Sequence, residues 1–224
     1  LTSNPLLARS LMDLFDNRFN PHEVLDEQHQ NLLLDNIHKA LNQVNNLDED
    51  RIIKQFLAVI QAILRCNYYQ LDSQGAALDY LVFKLDPSRI PGVPLPLPKY
   101  EIFVYATWVE GVHLRGGKLA RGGLRWSDRK EDYRTEVLSL VKAQMVKNAV
   151  IVPVGAKGGF ICKQLPQDSD RETFMAAGMR SYSTFIQALL DLTDNLIEGR
   201  IKAPANVVRY DDDDAYLVVA ADKG

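Results

Sequence analysis

Two short stretches limit the possible folds of this chain more than any others: "ARGGLRW" at 120–126 and "PVGAKGGF" at 153–160. Each sets a cation against a pair of glycines, and a helix-like run separates them. The apolar "VIVPVG" reads as a short buried strand, which places Lys157 at its exit, between Gly155, Gly158 and Gly159. Upstream, "YEIFVYATWVEGVHLR" is rich in β-branched and aromatic residues and reads as a strand forming a hairpin with "GGKLARGGLRW". "EDYRTEVLSLVKAQMVKNAV" reads as an amphipathic helix. "SDRETFMAAGMRSYSTFIQALLDLTDNLIEG" reads as a longer one, with Ser169 and Glu172 as its capping box and Gly199 as its stop. "YLVVAAD" closes the series as another buried strand. Strand, helix, strand, helix, strand is the pattern of an α/β layered fold.

The first third differs. Residues 1–75 read as helices: Ile53, Phe56, Leu57, Ile60, Ile63 and Leu64 recur at helical spacing behind a cap at Asp48. Leu33, Ile37, Leu41 and Val44 repeat the pattern. A stiff connector, "PSRIPGVPLPLP" at 87–98, holds five of the ten prolines. The expected organisation is a helical lead-in over 1–75 and an α/β unit over 76–224. The ends, Leu1 and "AADKG", are read as those of a segment of a larger protein.

Charge narrows the function. Residues 115–163 carry 11 Lys and Arg against 4 Asp and Glu, a balance of +7 in a chain whose net charge is −3. A basic island in an acidic chain suits an anionic partner. Its cations are spread among glycines, without the aromatic platforms of single-strand binders, so a small anion is favoured over nucleic acid. No apolar run approaches the roughly 18 residues of a membrane span. Two cysteines, Cys66 and Cys162, lack metal-ligand spacing and read as free thiols in a reducing cytoplasm. The four acids at 211–214 read as a solvated turn rather than a metal site. His22, His29, His38 and His113 are scattered, which leaves triad hydrolysis without support. Neither a P-loop nor a G-x-G-x-x-G turn is present.

What remains is a set of cations and one acid. Lys157, among glycines, is a candidate general base or carbonyl-polarising group. Gln144 and Lys147 lie three apart on one helix face, which Val137 and Leu140 continue inward; together they offer a charge and a hydrogen bond to one carboxylate. Arg121 can grip a second carboxylate with its guanidinium fork. Arg125 and Trp126 read as bracing residues. Asp222, at the carboxyl end of the last strand, is a candidate proton carrier.

In these residues, in this order, the chain resembles the large bacterial NAD-specific glutamate dehydrogenases, and more distantly the amino-acid dehydrogenase family: cation-Gly-Gly, Gln-x-x-Lys on a helix, Gly-x-Lys-Gly-Gly, then Asp. The resemblance is densest over 101–163 and resumes in "APANVVRYDDDDAYLVVAADKG". It implies a three-layer substrate-binding domain of the amino-acid dehydrogenase type, preceded by the helical segment, with the nucleotide-binding domain missing. It implies oxidative deamination of L-glutamate to 2-oxoglutarate and ammonia with NAD, in a cytoplasmic homo-oligomer. By position, Lys157 matches the catalytic lysine and Asp222 the proton-shuttling carboxylate. Gln144 and Lys147 match the α-carboxylate pair, Arg121 the side-chain carboxylate anchor, and Gly122 and Ala220 pocket-lining positions. No metal is implied. Two departures stand out: the anchor is arginine where small glutamate dehydrogenases carry lysine, and the residues that hold the dinucleotide lie beyond Gly224. The alternative, from another class, is a non-catalytic anion-binding or assembly module.

Overall fold

A computed structural model describes residues 4–147, 154–165 and 170–221. Three helices open it: α1 (Pro5–Phe19), α2 (Glu27–Leu41) and α3 (Leu47–Ala62). Asp26 caps α2 by accepting from the amides of Gln28 and His29. Asn46 caps α3, accepting from the amides of Asp48 and Glu49, so Asp48 is not the cap but lies in the first turn, where acids suit the positive helix end. Leu7, Leu11, Leu14, Ile37, Leu41, Ile53 and Leu57 form their shared core. The helical periodicity overreaches at its end. Ile63 and Leu64 are buried in a strand, β1 (Ile63–Cys66), so the first 75 residues already supply one strand of the sheet.

The remaining elements are β2 (Tyr80–Leu85), β3 (Tyr100–Ala106), β4 (Val109–Arg115), β5 (Ala120–Trp126), α4 (Tyr133–Lys147), β6 (Val154–Cys162), α5 (Arg171–Asp191), the small hairpin β7 (Asn195–Ile197) and β8 (Arg200–Lys202), and β9 (Val218–Ala221). Seven strands form one mixed sheet in the order β1-β2-β3-β4-β6-β5-β9. It is antiparallel from β1 through β6 and parallel across β6, β5 and β9. The two long helices cover opposite faces. Val137 of α4 lies over Gly159, while Phe185 of α5 lies over Gly111. The fold is thus mixed α/β, as expected.

Several expectations are corrected. The hairpin lies wholly inside "YEIFVYATWVEGVHLR", as β3 and β4 turning at Thr107 and Trp108; β6, not β5, pairs with β4. The glycine stretch is not a turn after a strand: β6 itself spans Val154–Cys162, with Lys157 inside it. Asp170, accepting from the Thr173 amide at 2.7 Å, caps α5; Ser169 lies outside the described residues. Gly199 does not end α5, which stops at Asp191, but with Glu198 takes the positive φ values of the β7–β8 turn. β9 is an edge strand, and Val218 is 43 % exposed.

The acidic run is only half solvated. Asp211 and Asp214 are buried against three buried cations from neighbouring strands. Arg65 Nε reaches Asp211 at 2.6 Å, Lys84 Nζ reaches Asp211 at 2.5 Å and Asp214 at 2.6 Å, and Arg115 reaches Asp214 at 2.6 Å. Asp194, just after α5, takes Arg65 at 2.9 Å. Burial alone would raise the Asp214 pKa, but hydrogen bonds and charges from Arg115 and Lys84 overcome this and hold it at about 2.

His113 of β4 is buried, with neither ring nitrogen hydrogen-bonded. Burial, and next the Arg115 charge, push its pKa down to about 3 from 6.5. The unfolded chain therefore takes up a proton below pH 6.5 that the folded chain refuses until about pH 3. Stability should fall on acidification in that window by about 1.4 kcal/mol per pH unit from this group. Denaturant midpoints measured from pH 7 to pH 4 should show this slope, and His113→Leu should flatten it. An unchanged slope in the variant excludes His113 as its source.

Candidate active site

Strand parity decides which side chains meet. A Cβ on Gly155 would lie 2.4 Å from the Gln144 side chain, and one on Gly159 would lie 2.6 Å from Val137. Odd-numbered positions of β6 therefore face α4, and Lys157 stands between those two, half-buried, on the α4 face. β5 follows the same rule: Arg125 Nη1 donates to Glu136 of α4 at 2.9 Å, so Arg121 belongs to that face as well. The register pairs Arg121 with Gly155 and Arg125 with Gly159 across the parallel β5–β6 ladder.

On α4, Val137 and Val141 are buried, and Gln144 and Lys147 continue the stripe at helical spacing. Leu140, assigned to this stripe, is only partly buried, while Tyr133 and Leu138 join the core instead. Gln144 Nε2 donates to the Arg121 carbonyl at 3.3 Å, and its Oε1 is buried without a partner. One amide thus bridges the start of β5 to the helix and keeps unused hydrogen-bonding capacity. Arg121 and Lys147 are exposed.

The expected residues divide as follows. Arg121, Gln144 and Lys157 share one face, with Lys147 following on the same helical stripe. Ala220 pairs with Gly123 on the opposite side of β5 from β6. Gly122 is required by strand approach, because a Cβ there would fall 1.5 Å from the Ala156 carbonyl oxygen of β6. Asp222 lies outside the described residues. Glu136 was not singled out from sequence. It accepts from Arg125 and, at 2.6 Å, from Ser127 Oγ. The Ser127 bond, against partial burial and with help from Arg125, holds its carboxyl below the ordinary glutamate range. Its spacing from Arg125 carries no helical or strand period, so only the fold reveals the pair.

Two clefts lie among the described residues, and the first shares Arg125 and Glu136 with the α4 face. One of about 530 Å³ opens near the carboxyl ends of β5 and β6, lined by Trp126, Ser127, Lys130, Cys162 and Phe174 among others. Another, of about 590 Å³, lies between Gln70, Tyr80, Asp191 and Asn206. Among the described residues no group of three or more His, Cys, Asp or Glu is placed to hold a metal ion, and no helix is long and apolar enough to cross a membrane.

Residues 36–224 match the family described as bacterial NAD-glutamate dehydrogenase, catalytic domain. The chain belongs to this family. Proteins named NAD-specific glutamate dehydrogenase from Halomonas elongata and Pseudomonas aeruginosa are each 56% identical to it, and one from Mycobacterium tuberculosis is 49% identical. Each similarity covers 100% of this chain but 14% of the relative. This glutamate dehydrogenase catalytic-domain family member spans about one seventh of the length of the relatives it matches.

The two glycine contacts generate a prediction. Gly122→Ala meets a fixed carbonyl of the neighbouring strand, whereas Gly155→Ala meets the movable end of Gln144. In denaturant unfolding, the first should cost about 3 kcal/mol or more, as overpacking does at its upper end, and the second about 1 kcal/mol. Equal costs would show that β5 and β6 separate freely.

Proposed function

We propose that this chain supplies the glutamate site of an NAD-dependent glutamate dehydrogenase. The observation that carries the reading is that Arg121, Gln144 and Lys157, from two adjacent parallel strands and the helix over them, occupy one face of the sheet. Cations at two points of this face suit a dicarboxylate, and the unused oxygen of Gln144 leaves an acceptor for a substrate ammonium. The names of the relatives support glutamate as that substrate.

In this reading Lys147 and the free N–H of Gln144 hold the α-carboxylate. Arg121 holds the distal carboxylate; an apolar side chain in the same place would leave the guanidinium without that partner. NAD, when bound, accepts the hydride from the α-carbon. The sequence of this chain holds no G-x-G-x-x-G motif, and the steps assigned to its residues concern the substrate alone. Lys157 takes a proton from the water that adds to the iminium carbon, and Asp222 carries protons to and from the departing nitrogen. The balance is glutamate, NAD⁺ and water to 2-oxoglutarate, ammonium, NADH and a proton. Cys66 and Cys162, buried and free, fit a reducing compartment.

Two substitutions test these roles in a polypeptide of the relatives' full length. Lys157→Ala should lower glutamate-dependent NADH formation by about three orders of magnitude or more. A loss within about tenfold removes the general-base role. Arg121→Leu should mainly erode the preference for glutamate over norvaline; unchanged discrimination in kcat/KM removes the anchor.

A further inference from the structure

We propose that the Arg115–Asp214 pair is a positioning device that fixes edge strand β9 relative to the lysine-bearing strand β6. The inference rests on the reading of Lys157 and the carboxylate following β9 as partners in one reaction. Arg115 is the last residue of β4, and its ladder partner on β6 is Ala156, the residue before Lys157. The next amide, that of Gly116, donates to the Gly155 carbonyl at 3.0 Å. The backbone on both sides of Arg115 is thereby registered on β6, Leu114 against Lys157 and Gly116 against Gly155.

Its side chain reaches the other way. Nη1 donates to Asp214 Oδ2 at 2.6 Å and Nη2 to Oδ1 at 3.1 Å, a two-pronged grip that fixes orientation as well as distance. Nη2 also donates to the Lys118 carbonyl. Asp214 is clamped from behind. Its amide donates to Asp194 Oδ2 at 2.6 Å, and its carbonyl accepts from the Asp194 amide at 3.0 Å. Four residues later the chain enters β9.

β9 needs such an anchor. It has four residues, its ladder runs only from Arg121–Val218 to Leu124–Ala221, and it lies at the sheet edge with Val218 43 % exposed. A slip of one residue would move it about 3.3 Å and turn its side chains to the other face. So short a ladder specifies register weakly. Asp214, separated from β9 by three residues, limits how far the strand can slip, and through Arg115 it does so with respect to β6. Lys84, which also reaches Asp214, supplies charge neutralisation; the arginine adds direction.

The test uses Arg115→Lys, which keeps the charge and loses the fork, in a polypeptide of the relatives' full length. Glutamate turnover should show kcat lowered about 10- to 100-fold with the KM for glutamate within about threefold, the signature of misplaced reacting groups rather than lost binding. Adding Asp214→Glu, whose longer arm meets the shorter lysine, should recover part of the loss. Hydrogen exchange gives a readout independent of activity: the amides of Val218–Ala221 should exchange about tenfold faster in Arg115→Lys, with β3 and β4 unchanged. Unchanged exchange in β9, or kcat within twofold of the parent, overturns the proposal. A fall in kcat that only follows loss of folded protein, measured by circular dichroism, overturns it equally. Faster β9 exchange in a parent that makes no NADH from glutamate would leave the anchor standing and sink the reading of the site.

Discussion

Three cations are buried side by side in this sheet, and the architecture around β9 follows from the need to neutralise them. Arg65, Lys84 and Arg115 project from β1, β2 and β4 and are each at most 2 % exposed. Leaving such a charge uncompensated costs several kcal/mol, so carboxylates must arrive from somewhere. They arrive on the chain after α5. Asp194 comes first, then Asp211 and Asp214, and Arg209 returns to Asp194 at 3.1 Å and Asp213 at 2.7 Å. The stretch between β8 and β9 has no helix or strand of its own. It is ordered because its charges are committed, and because Tyr210 donates its amide to Leu64 and its hydroxyl to the Arg18 carbonyl. The same ties cover the outer edge of β1, a row of backbone groups that would otherwise be open to pairing with another chain.

At the other side of the sheet, closeness does the corresponding work. Residues without Cβ atoms let β5 approach β6 at Gly122 and let α4 settle on β6 at Gly155 and Gly159. What looks like a flexible, ligand-admitting glycine loop is a strand hydrogen-bonded on both edges, to β4 and to β5. The helix above it is held by the buried contacts of Val137 and Val141, the Arg125–Glu136–Ser127 cluster and the Gln144 bridge to Arg121. The cationic face is thus fixed by packing from below and polar ties along its length.

Legibility followed the range of the interactions. α5 is readable because its apolar spacing is a local property; α4, expected to be amphipathic, scarcely separates apolar from polar residues around its axis, and its helix-favouring composition marks it instead. The strand content of 100–115 was readable from side-chain type, but its turn was not, because Thr107 and Trp108 carry none of the usual turn chemistry. β1 was hidden because "ILRC" continues the periodicity of α3. The glycine strand reads as a turn because glycine weakens strands on average; only the neighbours it admits explain its place. Asp211 and Asp214 were assigned to solvent because their partners stand 99 to 146 residues away in sequence. Gly199, expected as the stop of α5, belongs instead to the β7–β8 turn, where its positive φ suits glycine. The shared face of Arg121, Gln144 and Lys157 was only half visible, since the sequence places them in motifs but not in layers.

The strand setting of Lys157 alters the argument for its chemistry. In the proposed reading, a base on a glycine turn could adapt its backbone to the substrate, whereas the backbone of one in a central strand is held by its neighbours. Central-strand placement therefore favours positional accuracy, which in reactions limited by alignment is worth more than reach. The cost falls on the partner groups, which must be brought to the lysine. Arg121 comes one ladder away, Gln144 from the helix packed above, and the last strand from the edge, where it pairs with β5 alone. A site built this way is only as accurate as its least anchored member. In that reading, the buried charges of Arg65, Lys84, Arg115, Asp194, Asp211 and Asp214 at the approach to β9 serve the member of the site that most needs an anchor.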